Sequence, residues 1–446
     1  MTAAAAGCAQ FGVPPLKRLY QSVPVPEDQP PLIVIPGAFG SKLRRRATGE
    51  EIWPRSGFAL LFSSYPDVEV TIDADTLDPI ADEVEAFDIF RKGMGRDFYG
   101  ALLKTLESIG GYQRAHPGTP PAPPARSYYV YPYDWRLDNV AAVEGLHRLI
   151  EQVVEDHGDP NLRVDILGHS NGGLMARYYA RFGTADMLTS RAAEPDWNGS
   201  HRIRRLLMVG TPNLGTMQPV LSHVRGEEIG LNDIPAEVVA TCSGAPQLFP
   251  APELTWLVDA RGEDLNLDVY ALETWRELGW SIFSDKARDR ATSKHGVGRR
   301  GRAHLELLER YLAKHLERGR RFQHALARPA RPDEPEPFVF GGDCTPTVAR
   351  LVLEKRGGVF VGREQPDRVA APVRGVDYDG LINEPGDGVV TRASLTGQNA
   401  TPVAPQLNVA HSVFLCEEHQ LLTSNASFQD NLLYNLLTEF PQGAHG

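Results

Sequence analysis

Gly168-His169-Ser170-Asn171-Gly172 has the pattern G-x-S-x-G, which places a serine on a sharp turn with its hydroxyl exposed. A serine oxygen is a poor nucleophile until a base takes its proton, and that base must be oriented by an acid. Downstream lie two histidines that could serve as base, His411 and His419. His411 opens the strand-like run "HSVFL", whereas His419 follows it, so His419 alone stands past the carboxyl end of a strand. Asp387, in "EPGDGVV", is either an orienting acid or an aspartate that caps a turn. His169, beside the serine, reads as a packing or hydrogen-bonding neighbour. Acyl transfer at Ser170 would also need two donors aimed at a developing oxyanion, and backbone amides suit that need. Asn171 would give one. Ala38 in "PGAFG" would give the other, with Phe39 as the alternative, and Gly37 and Gly40 would supply the backbone freedom that aims it.

These residues need elements that hold them. Short apolar runs at 31–37, 127–133, 164–167, 204–210, 337–342 and 411–416 read as buried strands. Between them fall helical patterns: Leu102, Leu103, Leu106 and Ile109 share one face of the stretch 97–111, and Val143, Leu146, Ile150 and Val153 share one face of 139–158. After Ser170, Leu174, Tyr178 and Phe182 recur at helical spacing, widened by Met175 and Tyr179, and Gly183 stands where a left-handed cap would end that helix. Alternation of strand and amphipathic helix implies an α/β fold, a mostly parallel central sheet with helices on both faces. Ligands of such sheets bind beyond the strands' carboxyl ends, where both Ser170 and "PGAFG" would lie.

Elsewhere the alternation breaks. Residues 118–127 and 326–338 are proline-rich spacers, 302–322 reads as a charged amphipathic helix, and Arg356-Gly357-Gly358 reads as a hairpin turn. The 446 residues divide into an N-terminal extension (1–30), a core in two parts (31–212 and 331–440), a cap insertion between them (213–330) and a tail (441–446). A lid-like segment at 49–70 carries Trp53, Phe58, Leu60, Leu61, Phe62 and Tyr65. It reads equally as a small cap core or as a mobile segment that touches acyl chains or a lipid surface. With 46 Lys and Arg against 57 Asp and Glu the net charge is −11, which offers nucleic acid no basic surface. The four cysteines form no C-x-x-C pair and read as reduced thiols; neither a zinc site nor a disulfide scaffold is expected. No signal peptide or membrane-spanning run is visible, so the expected location is the cytoplasm. No cofactor is implied.

"PLIVIPGAFGSKL", "YPYDWR", "GHSNGG", "GTPNLGT", "GDGVVTRAS" and "EEHQLL" follow one another in an order that resembles the lecithin:cholesterol acyltransferase family of α/β-hydrolases, over about 31–437. Phospholipid:diacylglycerol acyltransferase and the lysosomal phospholipase are relatives within it. The resemblance implies an α/β-hydrolase fold with a cap or lid insertion, Ser170, Asp387 and His419 as nucleophile, acid and base, and Ala38 and Asn171 as oxyanion donors. It further implies an enzyme that takes an acyl group from a phospholipid or other lipid ester and passes it to an alcohol or water. Contact with a lipid surface is expected, and Phe39 and Trp53 become candidate substrate-binding residues. The region 213–330 matches the family only in patches, and the cysteines do not fit the disulfide near the lid of the secreted relatives. Asp134 and Arg136 in "YDWR" read as a loop-holding pair more readily than as ligands, and Asp377, Asp379 and Glu384 as solvated loop charges. Two other functions are compatible with the residues: a small-ester or thioester hydrolase, and a catalytically silent hydrolase-fold interaction module.

Overall fold

The structure is a computed structural model that describes residues 29–54, 66–93, 96–121, 126–189, 194–229, 232–296, 298–331, 334–398 and 407–438. Of the apolar segment, Trp53 is described, while Phe58, Leu60, Leu61, Phe62 and Tyr65 lie outside the described residues. Seven strands make the central sheet: β1 (Leu32–Ile35), β2 (Tyr112–Arg114), β3 (Arg126–Val130), β4 (Val164–His169), β5 (Ile203–Val209), β6 (Phe338–Gly342) and β7 (His411–Leu415). Their order is β7-β6-β5-β4-β1-β3-β2, and each neighbouring pair is parallel. Six of the strands coincide with the apolar runs; β2, three residues at the sheet edge, has too short a pattern to read.

Side chains alternate across the sheet as the pleat requires. Ile33, Ile35 and Ile166 enter a core with helices α2 (Asn139–His157) and α3 (Asn171–Phe182), while Leu32, Val34 and Leu167 enter a second core with α1 (Gly100–Ser108) and α6 (Ala426–Leu437). All six are fully buried, so truncating any one to alanine would cost about 2–5 kcal/mol. The chain leaves β1 toward β3 on one side and returns to β4 on the other. That reversal opens a crevice beyond the carboxyl ends of β1 and β4.

The connection from β5 to β6 carries α4 (Gln218–Arg225) and the 28-residue α5 (Arg299–Leu326), with an apolar cluster of its own around Phe249, Trp275, Trp280 and Leu312. Asp138 ties it to the sheet domain: its carboxylate caps α2 by accepting from the Val140 N–H and meets Arg318 of α5 at 2.7 Å. The hairpin is present, Leu351–Arg356 pairing antiparallel with Val359–Arg363. Among the described residues, no helix is long and apolar enough to cross a membrane, and no group of three or more His, Cys, Asp or Glu could hold a metal ion.

Three expectations fail. Cys344 and Cys416 are joined in a disulfide, Cα to Cα 5.0 Å, across 72 residues of sequence. Parallel pairing of β6 with β7 sets the two cysteines side by side, and sequence spacing does not reveal that register. Helix α3 is buried on every side, Arg177 and Arg181 included, where the spacing predicts one apolar face. Its terminal Gly183 has positive φ (54°) but ψ of −127°, so it is not a left-handed helical cap. The loop acids are solvated as expected, Asp377 and Asp379 exposed and Glu384 partly so; Asp377 also caps the short helix Tyr378–Ile382, and Glu384 meets Arg350 at 2.5 Å.

Candidate active site

Ser170 links β4 to α3 with φ of 52° and ψ of −123°, a backbone that a non-glycine residue adopts only when its surroundings enforce it. The enforcement is visible. The Ser170 N–H donates to the Val209 carbonyl at 2.7 Å, and the Ser170 carbonyl accepts from Gly173 N–H at 3.0 Å. Next to it, Asn171 forms a reciprocal amide pair with Asn139 of α2, 2.8 Å in each direction, and donates to the Tyr133 hydroxyl at 3.0 Å.

His419 lies four residues past β7 and is 7% exposed. Its Nδ1 is 2.8 Å from Asp387 Oδ2, and its N–H donates to the Asp387 carbonyl at 2.9 Å. Asp387, 2% exposed, accepts at its other oxygen from the N–H groups of Val389 (3.0 Å) and Val390 (2.7 Å). Burial alone would raise this carboxyl's pKa, but His419 and the two amides outweigh it and hold it below the usual carboxylate range. Gly210, at the end of β5 with φ of 55°, leaves room for the pair: a Cβ there would come 2.9 Å from His419 Nδ1 and 3.2 Å from Asp387 Oδ2. His411 is exposed at the far end of β7, its ring beside Phe338.

The loop after β1 approaches the serine closely. A Cβ on Gly37 would lie 2.8 Å from Ser170 Cβ, and one on Gly40 would lie 2.8 Å from Pro36 Cβ. Neither glycine has positive φ; Phe39 does, at 62°. Glycine is therefore needed at 37 and 40 for space, not for the backbone freedom expected of it. The Phe39 carbonyl accepts from Trp53 Nε1 at 2.8 Å, and its ring packs on Trp135 at 4.2 Å between centroids.

A buried chain of hydrogen bonds joins the three loops. Gly37 N–H donates to the Tyr99 hydroxyl oxygen (2.9 Å), that hydroxyl meets His169 Nδ1 (2.7 Å), and His169 Nε2 meets the His419 carbonyl (3.3 Å). A carbonyl can only accept, so Nε2 carries the proton and Nδ1 accepts from Tyr99. The arrangement requires a neutral imidazole, and burial first, with His419 next, lowers the His169 pKa to about 3.

Above the loops is a cavity of about 570 Å³. Ser170, His419, Ala38 and Phe39 line it together with Trp53 and Trp135, and the segment 216–248 closes its other side with Ile234, Val239 and Leu248. Gln218, Ser222 and Glu227 form a polar patch in that wall: the Ser222 hydroxyl donates to Glu227, and Gln218 Nε2 approaches the same carboxyl at 3.3 Å. Burial raises the Glu227 pKa, with these neutral donors offsetting part of the shift. Of the sequence-predicted site residues, Ser170, His419, Ala38, Phe39 and Trp53 line this cavity; Asp387 reaches it only through His419, and Asn171 is adjacent to Ser170 with its side chain bonded to Asn139 and Tyr133. Tyr99, Trp135, Gly210 and Glu227 were not predicted. "YDWR" contains the Trp135 wall, but attention falls on its charged pair, which is a 2.6 Å ion pair, both side chains nearly buried, holding the loop.

A seven-stranded parallel sheet flanked by helices, with a strained serine between strand and helix, defines an α/β-hydrolase fold. The profile of the lecithin:cholesterol acyltransferase family matches residues 123–264, which bears out the resemblance read from the motifs over a stretch that includes Ser170 and stops short of Asp387 and His419. No curated protein matches the chain in sequence. Among solved structures it is similar to the crystal structure of the Tle4–Tli4 complex, at 16% identity over 92% of this chain and 98% of that one, with a TM-score of 0.57. Looser likenesses are Bacillus licheniformis lipase BlEst2 in its mature form (12% identity, 94% and 95% covered, TM-score 0.31) and EstA from Clostridium botulinum (14%, 94% and 92%, TM-score 0.35). At such identities the first supports the fold alone, and the other two add nothing to it.

Proposed function

We propose that the protein is a serine-dependent lipid acyltransferase or lipase that forms an acyl-enzyme on Ser170. The observation that carries this reading is the 2.8 Å contact of His419 with Asp387, on an imidazole that lines the same cavity as the strained serine. In this scheme Nδ1–H of His419 donates to the Asp387 carboxylate, which leaves Nε2 to take the Ser170 proton. The serine oxygen attacks the ester carbonyl, the amides of Ala38 and Asn171 stabilise the oxyanion, and His419 returns the proton to the leaving alcohol. Water or a second alcohol, deprotonated by His419, then releases the acyl group. A cavity of about 570 Å³ walled by Trp53, Trp135, Ile234 and Leu248 suits an acyl chain, and its water-excluding walls favour an alcohol as acceptor. The donor is a phospholipid or other lipid ester, as in the family that matches 123–264, and is reached at a lipid surface.

The test has two parts. A fluorophosphonate probe should label the wild type and not Ser170→Ala, and that substitution should lower turnover by roughly four to six orders of magnitude. A phospholipid labelled on its acyl chain, supplied with and without a long-chain alcohol, should give free fatty acid and, with alcohol, the new ester. Absence of labelling in the wild type would leave a silent hydrolase-fold module. Ready cleavage of short esters with no product from any lipid would leave a small-ester hydrolase.

A further inference from the structure

We propose that the Cys344–Cys416 disulfide is a positioning element of the acid–base pair, so that its reduction lowers turnover while the fold persists. The proposal rests on the reading of Ser170, Asp387 and His419 given above. Strands β6 and β7 end side by side, Gly342 opposite Leu415. Past Gly342 the chain runs through Asp343 and Cys344 into Thr345–Val348, which pairs antiparallel with Asn383–Gly386; Thr345 bridges to Asp387, and the Thr347 hydroxyl accepts from Gly388 N–H at 2.8 Å. Past Leu415 the chain runs through Cys416, Glu417 and Glu418 to His419. These two routes meet again at the Asp387–His419 contacts, 2.8 and 2.9 Å. They form a closed ring with the acid–base pair on one side and the disulfide on the other.

Between β7 and His419 the arm itself, residues 416–418, has few other ties, whereas beyond it the His419 carbonyl accepts from His169 Nε2 at 3.3 Å and the Glu418 carbonyl from the N–H groups of Leu421 and Leu422 at 2.9 and 3.1 Å. Across the ring, Asp343 N–H reaches the Leu415 carbonyl at 3.3 Å; Glu417 accepts from Asn425 at 3.1 Å; Glu418 faces Arg96 at 3.7 Å, an exposed pair of small worth. The arm and the acid pack closely against the same glycine, so a shift of one reaches the other: a Cβ on Gly342 would lie 2.5 Å from the Glu417 carbonyl and 2.8 Å from Asp387 Cβ. Both cysteines are exposed, whereas His419 and Asp387 are buried. A dithiol can therefore open the bond without unfolding the core: one thiolate attacks a sulfur, the second displaces the protein thiol, and the protein gains two electrons and two protons while the dithiol becomes a cyclic disulfide. In a reducing compartment the ring would stand open.

The experiment compares the oxidised protein, the same protein treated with dithiothreitol, and the double variant Cys344→Ser/Cys416→Ser. For each, kcat and KM on a short ester are measured well below the Tm, and the His419 Nδ1 proton is followed by NMR. Reduction should lower kcat by roughly tenfold to a hundredfold with little change in KM, the size expected when a reacting group shifts by about an ångström. Reoxidation should restore it, and the double variant should match the reduced protein and ignore dithiothreitol. The Nδ1 proton signal should shift or broaden on reduction. A lower Tm with kcat and the proton signal unchanged would make the disulfide purely structural and overturn the proposal, as would an oxidised protein whose peptides show no cross-link. If the oxidised protein has no Ser170-dependent turnover, the serine reading fails instead, and the proton signal alone decides whether the disulfide positions the pair.

Discussion

The strand-end side of the cavity and the wall formed by described residues between 216 and 248 each carry a carboxyl, and they treat it in opposite ways. Asp387 is met by an imidazole and two backbone amides, which hold it ionised below the ordinary range. Glu227 is met by a hydroxyl and a side-chain amide, with the Arg225 charge a smaller influence, and burial still raises its pKa. The strand-end side is organised around charge at fixed points, tied by backbone bonds whose geometry the sheet dictates. The wall is organised around volume and apolar area, where a polar group is tolerated and not exploited. Substitutions on the first side should therefore act on turnover, and those on the second on stability and on which substrates fit.

The largest separation is expected between the two histidines of β7 and its exit. His419→Ala should lower kcat/KM by roughly four to six orders of magnitude, as loss of one member of a cooperating set does. His411→Ala should change it by less than about tenfold, because an exposed residue at the strand's opposite end touches nothing in the cavity and surface changes are small. Circular dichroism on both variants guards against misfolding. Comparable losses from the two in folded protein would dissolve the distinction and return the base assignment to open choice.

The difference between the two sides also explains what could be read in advance. Ser170, "PGAFG" and His419 each follow an apolar run that ends in a strand, so position along the sequence specifies position in the crevice. Asp387 follows no strand of the central sheet, and only the family resemblance separates it from a turn residue. Tyr99 bonds to partners 62 and 70 residues away, contacts that exist only because β1 lies between β3 and β4. Trp135, packed on Phe39, and Glu227, in the wall, carry no local mark that distinguishes a residue lining a cavity from one filling a core. The disulfide was missed for the reason that hides Tyr99: strand order, not spacing, makes Cys344 and Cys416 neighbours. Charge on the helix after Ser170 misleads as well, since Arg177 and Arg181 find buried carbonyl partners, among them the Leu326 carbonyl, that no helical pattern discloses.

A middle-sized effect is expected at Gly37. Replacing it by valine puts a Cβ at 2.8 Å from Ser170 Cβ and 3.1 Å from His169 Nδ1, so the loop must move away from the serine and take the Ala38 amide with it. Loss of one oxyanion donor costs roughly two to three orders of magnitude in kcat. The expected signature is a fall of that size in kcat in a protein that still melts cooperatively. Undiminished turnover would remove "PGAFG" from the strand-end machinery and leave it a packing loop.

The smallest effect, and the one that addresses the wall directly, is the pH dependence of stability at Glu227. A group whose folded pKa lies above its unfolded value contributes stability below the unfolded value and loses it as pH rises through the folded one. Glu227 is such a group, so its ionisation weakens the fold at neutral pH, whereas Asp387, lowered in the fold, strengthens it there and ceases to do so in acid. Glu227→Gln keeps an acceptor for the Ser222 hydroxyl and removes the titration. Its stability relative to wild type should rise between about pH 4 and pH 8, by at most about 1 kcal/mol, the common size of a single substitution. Asp387→Asn should show the opposite trend in acid, becoming more damaging as pH rises toward about 4 and level above it. Urea midpoints of the three proteins from acid to about pH 8 would measure both slopes. Parallel slopes for the two variants would mean that the Glu227 carboxyl is held in its charged form like Asp387, and that the wall, too, is built to bind charge.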